Sequence, residues 1–530
     1  MDNFHLLTRR SFLDRGMKIG LGVALSTLVD IPMLMKRALA QGTLGLDGKK
    51  LLFVFLRGAN DGLNSLIPAL DPAYNTTNRP HILIPSDPAT DYSAAGPCDW
   101  PVSALPTDPT FAYGHAIRVG NGFAALHPSL KFLAPVYNTG DLALVHRVGY
   151  PNQSRSHFSS QNYWETAEPN NDLVLDGVFY RAMVESGLAN SSPLTGVSVQ
   201  SALPLSLRGS AAAMTNLTNP TRYDLIGIPE PLANLKAGNA VRAADLFPFP
   251  AKQNRELLSL QFQNLTNTIA IFKQINFTEA GNTFKDDANT DGDTGPYYLF
   301  PTTNAKNGGY ALHANNTGKY VVDPSAYGFF TNLKAAALIL NKTDAIVAGT
   351  EMYGFDTHNQ QGSVTGTQAN LLRTIGWMMY GLRKYFLNYA DKATWNNLVV
   401  VTLSEFGRTT IQNASLGTDH AEASVMFLAG GAIKGYNKGN PSGVFGCQPA
   451  DKIPWITGQT GSMFGVIKRY LKRTTDYRSV LGKIIRDHLG ATQDQLNGII
   501  PGYASAGEQL LAGGTSNIDG TPIVGELPLV

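Results

Sequence analysis

Cysteine is nearly absent. Only Cys98 and Cys447 occur among 530 residues, which excludes a disulfide framework, and no C-x-x-C pair suggests a thiolate metal site. The two either pair in an oxidising compartment or stay buried and inert, because separation in sequence says nothing about separation in space. Excess charge is absent too: 42 Lys and Arg face 40 Asp and Glu, for a net charge of +2, and no block of like charges stands out. That balance leaves no electrostatic footprint for nucleic acid or anionic lipid. No apolar run reaches the roughly 18 residues of a membrane span. Also missing are G-x-S-x-G, G-x-x-x-x-G-K-[ST] and H-E-x-x-H, the signatures of a nucleophile elbow, a phosphate-binding loop and a zincin helix. "AGGAIKG" (429–435) is only a glycine turn after a strand.

Hydrophobic residues make up 43% of the chain, ample for a core, and the 53 glycines suit an extracytoplasmic enzyme with many surface turns. Residues 1–40 read as a processing segment. "LLTRRSFLDRG" places Arg9 and Arg10 before Ser11-Phe12-Leu13, "IGLGVALSTLV" is a short apolar run, and "ALAQG" offers small-x-small cleavage. The segment resembles a twin-arginine export signal. That resemblance implies the twin-arginine translocation machinery as a partner, a periplasmic or secreted destination, no membrane span after cleavage, and export of an already folded chain.

Continuous apolar runs predict buried strands in "KKLLFVFL" (49–56), "DLALVHRVGY" (141–150), "TDAIVAGT" (343–350), "NNLVVVTL" (396–403) and "SVMFLAGG" (424–431). Helical spacing fills 325–340 and 369–390. This alternation predicts an α/β fold with a wound, mostly parallel central sheet and helices on both faces. The domain is expected over 45–490, with 205–320, including a helix at 254–275, as an inserted cap and 491–530 as a loosely held extension.

In such sheets, functional groups gather where strands end at the carboxyl edge. After the first strand comes Asp61; after the second, Ser154, Arg155, Ser156 and His157. Asp356 and His358 follow the third, and Glu405, Arg408, Asp419 and His420 follow the fourth. Carboxylates and imidazoles without thiolates suit zinc or manganese, as one or two ions. Each residue also has a plainer reading: Asp61 before Gly62 as a turn residue, Glu405 with Arg408 as a surface ion pair, Asp356 with His358 and Asp419 with His420 as ordinary loops. Asp287, Asn289 and Asp291 copy the opening of a calcium loop, but Tyr298 stands where that loop carries a bidentate glutamate.

"FLRGANDGLNSLIP", "SRSHFSSQNYWETA", "GFDTHNQQ", "LSEFGRT", "GTDHAEASVMFLAGG" and "TTDYRSVL" together resemble the domain-of-unknown-function family 1501, over about residues 45–490. This family is exported and is placed in the alkaline-phosphatase-like and sulfatase-like superfamily. The resemblance implies a two-metal site with a nucleophile at a helix start: Asp61 as first-strand ligand, Glu405 where the superfamily has Asp-His, and Asp356, His358 and His420 around the other ion. Two departures stand out, Phe406 in place of that histidine and an Asp-x-His spacing shorter than Asp-x-x-x-His. Ser156 is the candidate nucleophile, ahead of Ser154, since it is expected to cap the helix opening at "HFSSQNYWE", where N–H groups favour an anion. Plain N-capping is its structural alternative. Arg155 would neutralise a substrate oxygen, and Arg408 would hold the anion or orient its loop. A formylglycine site is disfavoured, because its first position, counted back from Arg155, is Pro151.

The expected function is metal-dependent hydrolysis of phosphate or sulfate esters, with an anionic ester as substrate. The alternative is a catalytically silent relative acting as a surface binding or assembly module. A role in carbohydrate processing would rest only on export and on Tyr163 and Trp164 as exposed aromatics, and such residues are more often helix core.

Overall fold

The computed structural model describes residues 44–99, 114–188, 194–219, 268–277, 285–286, 297–301, 322–447 and 469–530, apart from 46, 211–213, 440–441, 506, 518–519 and 521. The signal segment, the candidate calcium ligands Asp287, Asn289 and Asp291, and most of the expected cap and of its 254–275 helix lie outside these residues.

The protein is α/β, built on a mixed, mostly parallel nine-stranded sheet. Its strands are β1 (Lys50–Leu56), β2 (Leu142–Gly149), β3 (Gly196–Val199), β4 (Thr215–Leu217), β5 (Val347–Met352), β6 (Leu398–Ser404), β7 (Ser424–Ala429), β8 (Val444–Phe445) and β9 (Thr475–Asp476). The order across the sheet is β8-β2-β7-β6-β1-β5-β3-β4, with β9 also paired to β2. Among the described residues only β7 runs against its neighbours, antiparallel to both β6 and β2. The five expected strands all form, although the third begins at Val347, later than its apolar pattern suggests. The short strands β3, β4, β8 and β9 carry too few residues to show a period of their own.

Continuous apolar composition in β1 reflects burial on both faces. Leu52, Val54 and Leu56 pack into one core, and Leu51, Phe53 and Phe55 into another, as the alternation of a strand requires. Helices α3 (Tyr327–Lys342) and α4 (Thr367–Asn388) cover the first core. The second is covered by α1 (His157–Thr166), α2 (Val178–Glu185), α5 (Tyr477–Lys483) and α6 (Gln493–Ile499). Tyr163 and Trp164 belong to this core, with Trp164 stacked on Tyr477 at 4.0 Å. They therefore form helix core, the plainer of their two readings, and no exposed platform. Cys98 and Cys447 are buried, free thiols. No helix of the described residues is long and apolar enough to cross a membrane.

Register places the functional loops at one level. Leu56 lies opposite both Met352 and Ser404, so β1, β5 and β6 end together. Ser424, the first residue of β7, lies opposite Val148 near the end of β2. Because β7 is antiparallel, the segment joining it to β6 never leaves that edge, and His420 reaches the same crevice as Glu405.

Candidate metal centre

Three imidazoles and one carboxylate meet at the carboxyl edge. His157 is the first residue of α1, Asp356 and His358 follow β5, and His420 precedes β7. Nε2 of His420 lies 3.0 Å from Nε2 of His157, 2.9 Å from Nε2 of His358 and 3.2 Å from Oδ1 of Asp356. Asp356 also lies 3.1 Å from His358 Nε2 and 3.5 Å from His157 Nε2. His157, Asp356 and His420 offer ligand atoms within 4.8 Å of one another. Two ligands bound at about 2.1 Å to one ion stand about 3.4 Å apart if it is tetrahedral and about 3.0 Å if octahedral. The spacing fits a shared cation.

The opposite nitrogen of each ring fixes its tautomer. Nδ1 of His157 faces Glu405 Oε1 at 3.1 Å, Nδ1 of His420 the carbonyl of Arg155 at 2.8 Å, and Nδ1 of His358 Asp419 Oδ1 at 3.4 Å. Carboxylates and carbonyls only accept, so each Nδ1 carries a proton, and a ring in its neutral form turns an Nε2 lone pair toward the others. Converging lone pairs repel unless a proton or a metal cation lies between them. Outer partners of this kind orient and strengthen histidine ligands.

Glu405 is fully buried. Its Oε1 accepts from Gly58 N at 2.8 Å, from Gln161 Nε2 at 3.0 Å and from His157, while Oε2 has no hydrogen-bond partner. Gly58 is needed for this approach: at φ +109°, a Cβ there would meet the backbone N of Asp356 at 2.4 Å. Gly417 closes the next loop as tightly, since a Cβ would lie 2.4 Å from the carbonyl oxygens of Thr357 and His358.

The electrostatics divide the rings. The hydrogen bond to Glu405 raises the His157 pKa against the opposing effect of burial, and Glu405 and Asp356 add to the rise. Burial lowers that of His420. Burial pulls the Asp356 and Glu405 carboxyls upward, but Arg408 outweighs it at Asp356, and His157, Gln161 and Gly58 N outweigh it at Glu405, so both stay below the usual range. Burial likewise raises Asp419, and hydrogen bonds from Asn413, Arg469 and His358 more than offset it.

Two expected participants are spent elsewhere. Asp61 is fully buried and caps the single turn Gly62–Ser65 through Leu63 N and Asn64 N. Its Oδ2 accepts from Arg79 Nη1 at 2.8 Å and Gln361 Nε2 at 2.7 Å. It lies outside the cluster and has no lone pair directed at it, so the turn-residue reading fits and the ligand role does not. Arg408 pairs with Asp356 instead of Glu405 and donates to the carbonyls of Gly58, Ala59, Phe355 and Thr418. Buried and fully engaged, it orients loops and cannot grip a substrate.

Ser156 occupies the N-cap of α1, yet its side chain makes no capping bond, unlike the expected cap, and stays exposed. Ser154 Oγ accepts from Ser156 N at 3.2 Å. The Arg155 guanidinium lies 4.4 Å from the centre of the Tyr470 ring. Phe406 packs on the rings of His157 and His420 at 4.9 and 4.8 Å and forms one wall of the cluster.

Sequence reading missed Gln161, Asn413 and Arg469. Gln161 follows His157 by four residues, one helical turn, a spacing that places both on one face. Asn413 donates to Asp419 at 2.9 Å from within the same loop. Arg469 meets Asp419 at 2.5 Å from a distant segment, with no sequence signal to announce it.

A family model described as a protein of unknown function, DUF1501, matches residues 48–440. The chain belongs to the DUF1501 family. The matched DUF1501 region contains every residue of the cluster and of its carboxylate supports, but not Arg469 or Tyr470. No curated protein and no solved structure matches the chain.

Proposed function

We propose that this DUF1501 protein is an exported, metal-dependent hydrolase of phosphate or sulfate esters, its sheet an alkaline-phosphatase-like one. The observation that carries the reading is the convergence of three Nε2 lone pairs and Asp356 on one point, each ring held from behind by an acceptor. His157, His358, His420 and Asp356 would hold one divalent ion, zinc or manganese. A second ion relying on Asp61 is not part of the proposal, because that carboxylate is occupied. When bound, the ion supplies Lewis-acid polarisation of an ester oxygen.

The remaining roles belong to the chain. Ser156 brings an uncommitted hydroxyl to the start of α1: its oxygen would bond to the ester phosphorus or sulfur as the ester's alcohol departs with the hydroxyl proton, water would then release the transferred group, and backbone N–H groups would favour the anionic oxygens. Arg155 and Arg469, both beside Tyr470, supply positive charge for an anionic ester. Arg408 and Glu405 keep Asp356 and His157 in place.

The test is turnover of 4-nitrophenyl phosphate, bis(4-nitrophenyl) phosphate and 4-nitrophenyl sulfate by zinc- or manganese-loaded protein. Activity that disappears in both Ser156→Ala and His420→Ala supports the reading. Absence of metal-dependent turnover across the panel contradicts it and favours a binding module.

A further inference from the structure

A cavity of about 580 Å³ opens beyond the end of β5, between the starts of α3 and α4. Its volume lies in the range of about 300–1,000 Å³ typical of small-molecule sites. Tyr353 and Gly354 line it, and the same loop continues to Asp356. Two residues of chain span at most about 7 Å, so the cavity lies one loop from the metal cluster.

Its lining includes no lysine or arginine, which disfavours an anionic ligand. The acid present, Glu351, already holds Arg57 at 3.0 Å through Oε2 and offers little to a cation. Its carboxylate is also held by Ser201, at 3.3 Å from Oε1, and by the Tyr353 hydroxyl. Gln200 is only 4% exposed, and its side-chain amide makes no hydrogen bond among the described residues. Asn332, half-buried in α3, is in the same position. Both amides face the cavity space, where a ligand or water completes their hydrogen bonds. Tyr353 stands at the mouth with 63% of its surface exposed, presenting an apolar face with a polar tip.

Amides that donate and accept beside an exposed ring match a partner that both donates and accepts and has an apolar face. A peptide strand is disfavoured, because β5 is already paired on both edges, to β1 and β3. We propose that this cavity binds an uncharged, hydroxyl-rich group, a sugar unit. Its service as the leaving-group subsite of the ester hydrolase rests on the function proposed above; the binding itself does not.

The experiment uses the metal-free full chain and a panel of neutral disaccharides (lactose, maltose, cellobiose and chitobiose) with a capped dipeptide as comparison. Binding is read by saturation-transfer NMR and calorimetry, without turnover. At least one disaccharide is expected to bind, and Gln200→Leu and Tyr353→Ala are each expected to weaken it about five- to tenfold, with thermal unfolding verifying that both variants fold. His420→Ala is expected to leave saccharide binding unchanged. Absence of binding across the panel, binding unmoved by both cavity variants, or preference for the dipeptide overturns the proposal. Saccharide binding retained by a protein that hydrolyses no ester would overturn the hydrolase reading alone.

Discussion

Two sets of histidines use their nitrogens in opposite ways. His127 and His146 are buried; each turns Nε2 toward a backbone carbonyl, Ser363 O or Leu66 O at 3.0 Å, and accepts a backbone N–H at Nδ1. His488 likewise meets Lys50 O at 2.9 Å. Their hydrogen bonds are completed within the fold. His157, His358 and His420 are only partly buried, anchor Nδ1 outward and leave Nε2 facing one another. The carboxylates divide similarly, with Asp61 satisfied by Arg79 and Gln361, and Asp356 open at the cluster. Residue type and position at the strand edge are thus insufficient to mark a ligand; what matters is whether a lone pair remains after the fold has been satisfied.

The largest effect should come from breaking the satisfied set. Arg79→Met leaves the buried Asp61 carboxylate without its ion pair, and urea unfolding is expected to show a loss of about 3–5 kcal/mol. Metal affinity of the folded fraction should be unchanged. A parallel loss of metal would mean that Asp61 belongs to the site.

His420→Ala breaks the open set at its centre. Titration of the chelator-treated protein with zinc is expected to show affinity reduced about 100-fold or more, equivalent to about 2.7 kcal/mol, with little change in urea stability. A variant that destabilises the fold and spares the metal would reverse the comparison.

Acid should separate the sets by linkage. Burial lowers the pKa of His127 to about 4, that of His146 to about 3 and that of His488 to about 4, from a reference of 6.5. Between these values the unfolded chain binds more protons than the native one, so stability is full above pH 6.5 and falls as pH drops toward the folded values. From pH 7 to pH 6 the three together should cost on the order of 2 kcal/mol, read as a lower urea midpoint. His146→Gln should flatten the slope.

The smallest effect is expected behind the cluster. Asp419→Asn weakens the long contact to His358 and the pair with Arg469, and zinc affinity should fall by about tenfold. A loss as large as that of His420→Ala would make Asp419 itself a ligand.

Most of the fold was legible in sequence because five strands are buried on both faces and read as unbroken apolar runs. The antiparallel sense of β7 was not, since Ser424–Ala429 has the same composition whichever way it runs. At the site, loops after strands pointed to Asp356, His358, His420, His157 and Glu405. Composition could not reveal that Asp61 is spent on Arg79, an interaction made by a residue 18 positions away and completed by Gln361 from another loop. Nor could it reveal that Arg408 is buried among carbonyls, or that the Ser156 hydroxyl is left uncapped.

One divalent cation is proposed to be held by the three Nε2 atoms and Asp356. Anomalous diffraction at the zinc and manganese edges, on crystals of the metal-loaded protein, tests it most directly. One peak is expected, about 2.0–2.3 Å from Nε2 of His157, His358 and His420. No peak there, with the three rings still in contact, or a peak at Asp61 instead, would contradict it.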